Sequence, residues 1–215
     1  MPMSQIASTA KPTNTAAQGS GRAGPARLLA WSLLTLALAG CGMGIFRPYK
    51  EPTSGPVARL RVSTNGFVGV HAGTRCPDWS NPRTGLAAVQ DVMISSANNG
   101  KSLGMPGSAR ADLVSSELVV QAGEPLLLTF TSKKGLFSCS LQYAFTPQPG
   151  RDYAAVFTQT LDGYLCDRAV TFLGQSGEAL LGSPSDEYSE AECKEREKAR
   201  KAAASAAASR DAEAP

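Results

Sequence analysis

Between residues 57 and 180 the hydrophobic positions recur with a period of two, in short runs separated by turn formers. Ala58, Leu60 and Val62 alternate with Arg59 and Arg61, Thr64-Asn65-Gly66 supplies turn chemistry, and Phe67-Val68-Gly69-Val70 resumes the apolar run. This pattern predicts a β-hairpin. Leu86 to Ile94 reads as a strand carrying Val89, Val92 and Ile94, with a short helix as the alternative. From Glu117, Leu118-Val119-Val120 leads into the turn Ala122-Gly123-Glu124-Pro125, after which Leu126, Leu128 and Phe130 share one face as far as Lys133-Lys134-Gly135. The clearest alternation follows, with Phe137, Cys139, Leu141, Tyr143 and Phe145 on one face and Ser138, Ser140, Gln142 and Ala144 between them. Such a segment has one buried and one wet face. Pro147-Gln148-Pro149-Gly150 breaks it, Asp152 to Gln159 forms another strand, Asp162-Gly163 turns, and Tyr164 to Leu173 forms a last one. Six to eight short strands at this spacing predict an all-β domain over 57–180, an antiparallel β-sandwich or small barrel.

Two stretches interrupt the pattern, 72–85 and 95–109, both rich in Gly, Pro, Asn or Ser and both expected as loops. Beyond residue 180 the apolar content falls, and 181–215 becomes a charged, Ala-rich tail. Glu190 with Lys194, Glu192 with Arg196 and Glu197 with Lys201 stand four apart in the favourable order. With no Leu or Ile stripe the tail has nothing to bury, so it is expected as a solvated helix or a disordered segment, the alternative being a partner-binding helix. Its basic cluster, Lys194, Arg196, Lys198, Arg200 and Lys201, is interleaved with Glu195 and Glu197, which weakens it as an anionic-surface binder.

The N-terminal region carries an apolar run of another kind. Arg22 and Arg27 precede Leu28 to Leu38 (LLAWSLLTLAL), and the small-residue sequence Leu38-Ala39-Gly40-Cys41 follows directly. The run is too short to span a bilayer, which needs ~20 apolar residues, and has the length of a secretory h-region. Leu38-Ala39-Gly40-Cys41 resembles the lipobox of bacterial lipoproteins. That resemblance implies cleavage before Cys41, diacylation of its thiol and acylation of the new amino terminus. Two or three acyl chains, at ~0.8 kcal/mol per buried CH2, make release from a membrane negligible. By analogy with lipoprotein sorting, Gly42 in place of Asp after the acylated Cys favours the outer membrane, with the domain facing the periplasm. Residues 1–40 are then a signal peptide with a long leader, whose first 21 residues are polar and either belong to that leader or precede a later translation start. Residues 41–56, rich in Gly and Pro, are the acylated Cys and a tether.

Removing residues 1–40 discards Lys11, Arg22 and Arg27 and no acidic residue, leaving 18 basic against 18 acidic side chains. The net charge of +3 therefore belongs to the discarded segment, and no basic surplus argues for nucleic acid as a partner. Four cysteines remain, Cys76, Cys139, Cys166 and Cys193. An even count in an oxidising compartment predicts two disulfides. No C-x-x-C occurs, which argues against zinc or a redox pair, and no cofactor or metal is expected. If the last three strands form a meander, the Cys139 and Cys166 strands flank a central one and stand ~9–10 Å apart, beyond disulfide reach unless they belong to different sheets. The favoured pairing is then Cys76 with Cys139 and Cys166 with Cys193.

Catalytic sets are thin. The single histidine, His71, follows a strand-like run without a G-x-S-x-G elbow or an S-x-x-K motif. Ser95 stands where the first glycine of a phosphate loop ending in Gly100-Lys101-Ser102 would belong. The carboxylates Asp78, Asp91, Asp112, Glu117, Glu124, Asp152, Asp162 and Asp167 all fall beside turns or on expected wet faces, so none is marked as a buried general acid. Trp79, with Asp78 beside it, is the best candidate for a binding loop, the alternative being a Trp that caps the core next to Cys76.

Val120-Gln121-Ala122-Gly123-Glu124-Pro125 and Phe145-Thr146-Pro147-Gln148-Pro149-Gly150-Arg151-Asp152-Tyr153 resemble turn motifs of small β-rich domains in uncharacterised bacterial envelope lipoproteins. These motifs fix hairpin geometry and carry no chemistry. The expectation is a non-enzymatic, membrane-anchored binding or envelope-assembly module with an envelope protein as partner, acting through the loops 72–85 and 95–109 with the tail as a second contact, its oligomeric state open. The alternatives are a periplasmic hydrolase acting through His71, Asp78 and Asp112, and an inhibitor of a foreign hydrolase.

Overall fold

The computed structural model describes residues 47–213 apart from Val92, Leu161 and Leu181, so the expected signal peptide, the lipidation site Cys41 and the first part of the tether lie outside the described residues. Eight strands are described: β1 Val57–Thr64, β2 Phe67–Ala72, β3 Thr84–Val89, β4 Val114–Gln121, β5 Leu126–Lys134, β6 Phe137–Phe145, β7 Asp152–Gln159 and β8 Cys166–Phe172. They form two four-stranded sheets, β4-β1-β7-β8 and β3-β2-β5-β6, packed as a β-sandwich. Every ladder is antiparallel except β1 with β7, which runs parallel.

Thr64-Asn65-Gly66 does not close the expected hairpin. β1 pairs with β4 and β7 and β2 with β3 and β5, so this turn carries the chain from one sheet to the other. The reason lies in the burial of both strands and in the use made of Asn65. Its amide donates to Gln159 O at 2.8 Å and its carbonyl accepts from Gln159 N at 2.9 Å, which docks the end of β7 onto the turn. A Cβ on Gly66 would stand 2.6 Å from Thr131 O, so only glycine lets the crossing chain pass β5.

The last three strands are likewise not a meander, because β6 belongs to one sheet and β7 and β8 to the other. β6 and β8 are facing edge strands. Cys139 and Cys166 therefore meet directly, with Cα atoms 6.1 Å apart, and Cys76 bonds Cys193. This corrects the expected pairing of Cys76 with Cys139 and Cys166 with Cys193, which assumed one sheet for both strands.

The core lies between the sheets. Leu60, Val62, Leu118, Val120, Tyr153, Ala155 and Phe157 of one meet Val68, Val70, Leu126, Leu128, Phe130 and Phe145 of the other. Phe130 stacks on Phe157 across the interface, and Phe145, Tyr153 and Phe172 form a second aromatic chain. Residues on the expected wet face are not all wet. Arg61 and Glu117 are buried under the 95–109 loop, where the Arg61 guanidinium reaches Glu117 Oε1 at 2.7 Å and the carbonyls of Met105 and Gly107 at 2.9 and 3.0 Å. Burial pushes the Glu117 carboxyl up, but N–H donation from Met105 and Leu103 and the Arg61 contact outweigh it, and its pKa is lowered.

The final part of the expected tether is packed. Tyr49 N donates to Leu86 O and Leu86 N to Arg47 O, extending the free edge of β3, and Tyr49 is buried. The tail forms a helix, α1 (Glu190–Glu213), and Cys193 ties its first turn to Cys76. All three anticipated pairs are present: Glu190 with Lys194 at 2.7 Å, Glu192 with Arg196 at 2.8 Å and Glu197 with Lys201 at 3.3 Å. Among the described residues no helix is long and apolar enough to cross a membrane.

Candidate functional site

The two sides of the sandwich are finished differently. On one side the free edges of β3 and β4 are covered: Arg47 and Tyr49 bond Leu86, Asn99 bonds both backbone groups of Val89, and residues 100 and 101 bond Ser115 and Glu117. On the other side, segments after β8 cover only the lower ends of β6 and β8. Leu180 N donates to Phe172 O, Glu187 N donates to Ala144 O, and Ala144 N donates to Asp186 Oδ1. The Cys139–Cys166 bridge spans the opening above them.

Immediately above that bridge stands an apolar crown made of two turns. Lys134 pairs with Phe137, so Gly135-Leu136 is a two-residue hairpin loop; Gly135 has φ 59° and Leu136 does not have positive φ, the signature of a type II′ turn. Its second central position accepts polar residues without strain, yet it holds Leu136, 96% exposed. Beside it the β7–β8 turn presents Tyr164 (69% exposed) and Leu165 (67% exposed), and the Tyr164 ring lies 4.3 Å from that of Phe137. This second turn is built firmly: Thr160 N donates to Leu165 O at 2.9 Å, Tyr164 N to Asp162 Oδ1 at 3.1 Å, and Gln159 Nε2 to Gly163 O at 2.8 Å. Four apolar side chains thus project from a cross-linked, hydrogen-bonded base. Isolated exposed apolar residues are ordinary; a cluster of them is a candidate interaction surface.

The candidate loop residues part company. Trp79 is half-buried on the outer face of β2, its ring edge-on to His71 with centroids 4.7 Å apart, and a Cβ on Gly69 would stand 2.8 Å from it. Asp78 instead faces a groove of ≈ 1060 Å³ between the 74–78 loop, the outer face of β6 at Ser140 and Gln142, and α1. Ser80 hydroxyl and N–H donation to Asp78 Oδ1 lowers the carboxyl pKa, and Arg200 stands 3.6 Å away, so the group is a fixed anion.

His71 is fully buried. Asp78 N donates to its Nδ1 at 3.1 Å, which leaves the proton on Nε2, 3.2 Å from Thr129 Oγ1. Burial drops its pKa to about 4, leaving a neutral imidazole used as packing. Asp112 is paired to Arg110 on an exposed turn before β4, at the opposite end of the strands from His71, so the three residues of the hydrolase alternative are not brought together. Among the described residues no three His, Cys, Asp or Glu side chains converge as metal ligands, and all four described cysteines are in disulfides. The crown was missed from sequence, although Leu136 after Lys133-Lys134-Gly135 and Leu165 after Asp162-Gly163-Tyr164 are apolar residues set in turn chemistry, a signal that was there to use.

Compared with known proteins, the chain matches no protein-family model and no curated protein. Its function is therefore argued from these surfaces.

Proposed function

We propose that this chain is a lipid-anchored, non-catalytic binding or assembly module of the bacterial envelope, held at the outer membrane through Cys41 and facing the periplasm. The observation that carries the reading is the position of the apolar crown. The first described residue is Arg47, whose guanidinium bonds Thr84 O and whose carbonyl bonds Leu86 N, at the starting end of β3. The crown stands at the opposite end, where β5 turns into β6 and β7 into β8. Five residues lie between Cys41 and Arg47, a reach of at most ~20 Å, whereas the crown stands a strand length from Arg47, ~30 Å. An apolar surface at the end of the sandwich away from Arg47 fits a protein that holds a partner at a distance from its membrane. Burial of His71 and the fixed charge of Asp78 support binding over hydrolysis.

Mass spectrometry of the membrane-extracted protein tests the anchor. The expected N-terminal peptide begins at Cys41 and carries the mass of acyl chains, and Cys41→Ala moves the protein to the soluble fraction. An unmodified Cys41 in a protein still bound to membranes would overturn the anchor.

A further inference from the structure

β6 is an edge strand of nine residues, FSCSLQYAF, with no charge, proline or glycine. Edge strands are usually protected by such residues or by coverage, because unpaired N–H and C=O groups template the addition of another chain. The facing edge strand β8 has protection, with Asp167 and Arg168 in its sequence. β6 has only the chain's own strap at its lower end, where Ala144 bonds Asp186 and Glu187 and the Tyr143 hydroxyl donates to Pro184 O.

The register tells which backbone groups remain. In an antiparallel ladder successive residues point their N–H and C=O alternately toward and away from the partner strand. Ala144, opposite Leu127, directs both groups away from β5 to the strap; Gln142, Ser140 and Ser138, opposite Thr129, Thr131 and Lys133 with no register shift, direct theirs the same way. Among the described residues no group of the strap or of α1 bonds those three backbones. The side chains of Ser140 and Gln142 form the floor of the ≈ 1060 Å³ groove beneath α1.

We infer that the upper half of β6, residues 138–142, is a docking edge at which an extended acidic segment of a partner protein adds to the sheet as a fifth strand beside α1. Two observations identify the occupant. The strap shows what this edge accepts: it is acidic, with the Asp186 carboxylate taking the Ala144 N–H and pairing with Arg168 at 2.8 Å, and Glu187 pairing with Arg75 at 2.7 Å. The added strand continues where the strap leaves off. Of the basic residues on the α1 side of the groove, Lys194, Arg196, Arg200 and Lys201 are paired with Glu190, Glu192, Glu197 and Asp78, and Lys198 has no ion pair among the described residues. An acidic side chain of the added strand that points toward α1 therefore has Lys198 as its partner, while the backbone is held by the ladder. This goes beyond the anchored-module reading and holds whether or not Cys41 is acylated.

The test uses the full chain in detergent micelles and a synthetic peptide of alternating valine and aspartate, about eight residues long, enough to span the open edge. Hydrogen exchange at β6 is followed with and without it. The expected result is added protection at the Ser138, Ser140 and Gln142 amides, at least tenfold weaker binding of a valine-lysine peptide, and none of a fully N-methylated valine-aspartate peptide. Ser140→Pro, which deletes one outward N–H of an edge strand, abolishes binding; should that variant fail to fold, the N-methylated peptide against the wild-type protein decides alone. Equal binding of the N-methylated peptide, or no added protection with any peptide, would overturn the inference. Concentration-dependent protection of the same amides without peptide would overturn it in favour of a second copy of this chain.

Discussion

His71 and the Arg61–Glu117 pair show how single residues set the conditions under which the domain stays folded. His71 has a folded pKa of about 4 against an ordinary value of 6.5, so between these values the unfolded chain binds a proton that the folded chain refuses. Its contribution is thus complete above pH 6.5 and declines as the pH falls toward 4, by up to about 3 kcal/mol. Chemical denaturation from pH 7 to 4 should show wild type losing stability faster than His71→Gln, whose amide can still donate to Thr129. Parallel losses would show that His71 is protonated without penalty. Glu117→Ala leaves Arg61 buried opposite carbonyls alone, and removal of one partner of such a pair costs about 3–5 kcal/mol. Denaturation midpoints measure that loss, and exchange of the Leu103 and Met105 amides, which donate to Glu117, should accelerate. These two residues were illegible in the sequence because alternation alone put them on the wet face. What buries them is a loop some forty residues from Arg61, and local pattern carries no information about such a cover.

At the scale of elements, local signals were read well and pairings poorly. The bounds of β6 and β7 coincide with the alternating runs because period two and flanking Pro-Gly and Asp-Gly turns are written in neighbouring residues. The ion pairs of α1 were legible for the same reason, being three local i,i+4 contacts. Thr64-Asn65-Gly66 announced a turn but not that β1 and β2 enter different sheets, and the disulfide pairing followed that same error. The Cys76–Cys193 bond is a staple between α1 and the 74–78 loop, since among the described residues α1 contributes none to the hydrophobic core. Cys76→Ala with Cys193→Ala should therefore release the helix, with fast exchange of its amides, while the strand amides keep their protection. Loss of protection throughout both sheets would mean that α1 is part of the cooperative core. By contrast, Cys139→Ala with Cys166→Ala opens a 27-residue loop and should destabilise the sandwich itself by about 3–4 kcal/mol, read as a drop in denaturation midpoint.

The whole molecule has a direction. Its first described residues lie beside β3, its covered edges lie on one side, and its apolar crown and uncharged β6 edge lie open on the other, clamped by one disulfide. A domain built only for stability would have no use for Leu136 at 96% exposure in a turn that accepts polar residues. Leu136→Asp should leave stability within about 0.5 kcal/mol of wild type, as surface substitutions do, and so separates binding from folding. The most direct measurement is photocrosslinking in intact cells from a benzoylphenylalanine at position 136 or 164, compared with one at Arg110 on the covered side. The account predicts that positions 136 and 164 capture the same envelope protein, that Leu136→Asp abolishes capture from 164, and that Cys41→Ala does so by removing the domain from its membrane. Capture of that protein equally from position 110, or capture that survives Leu136→Asp unchanged, would contradict it.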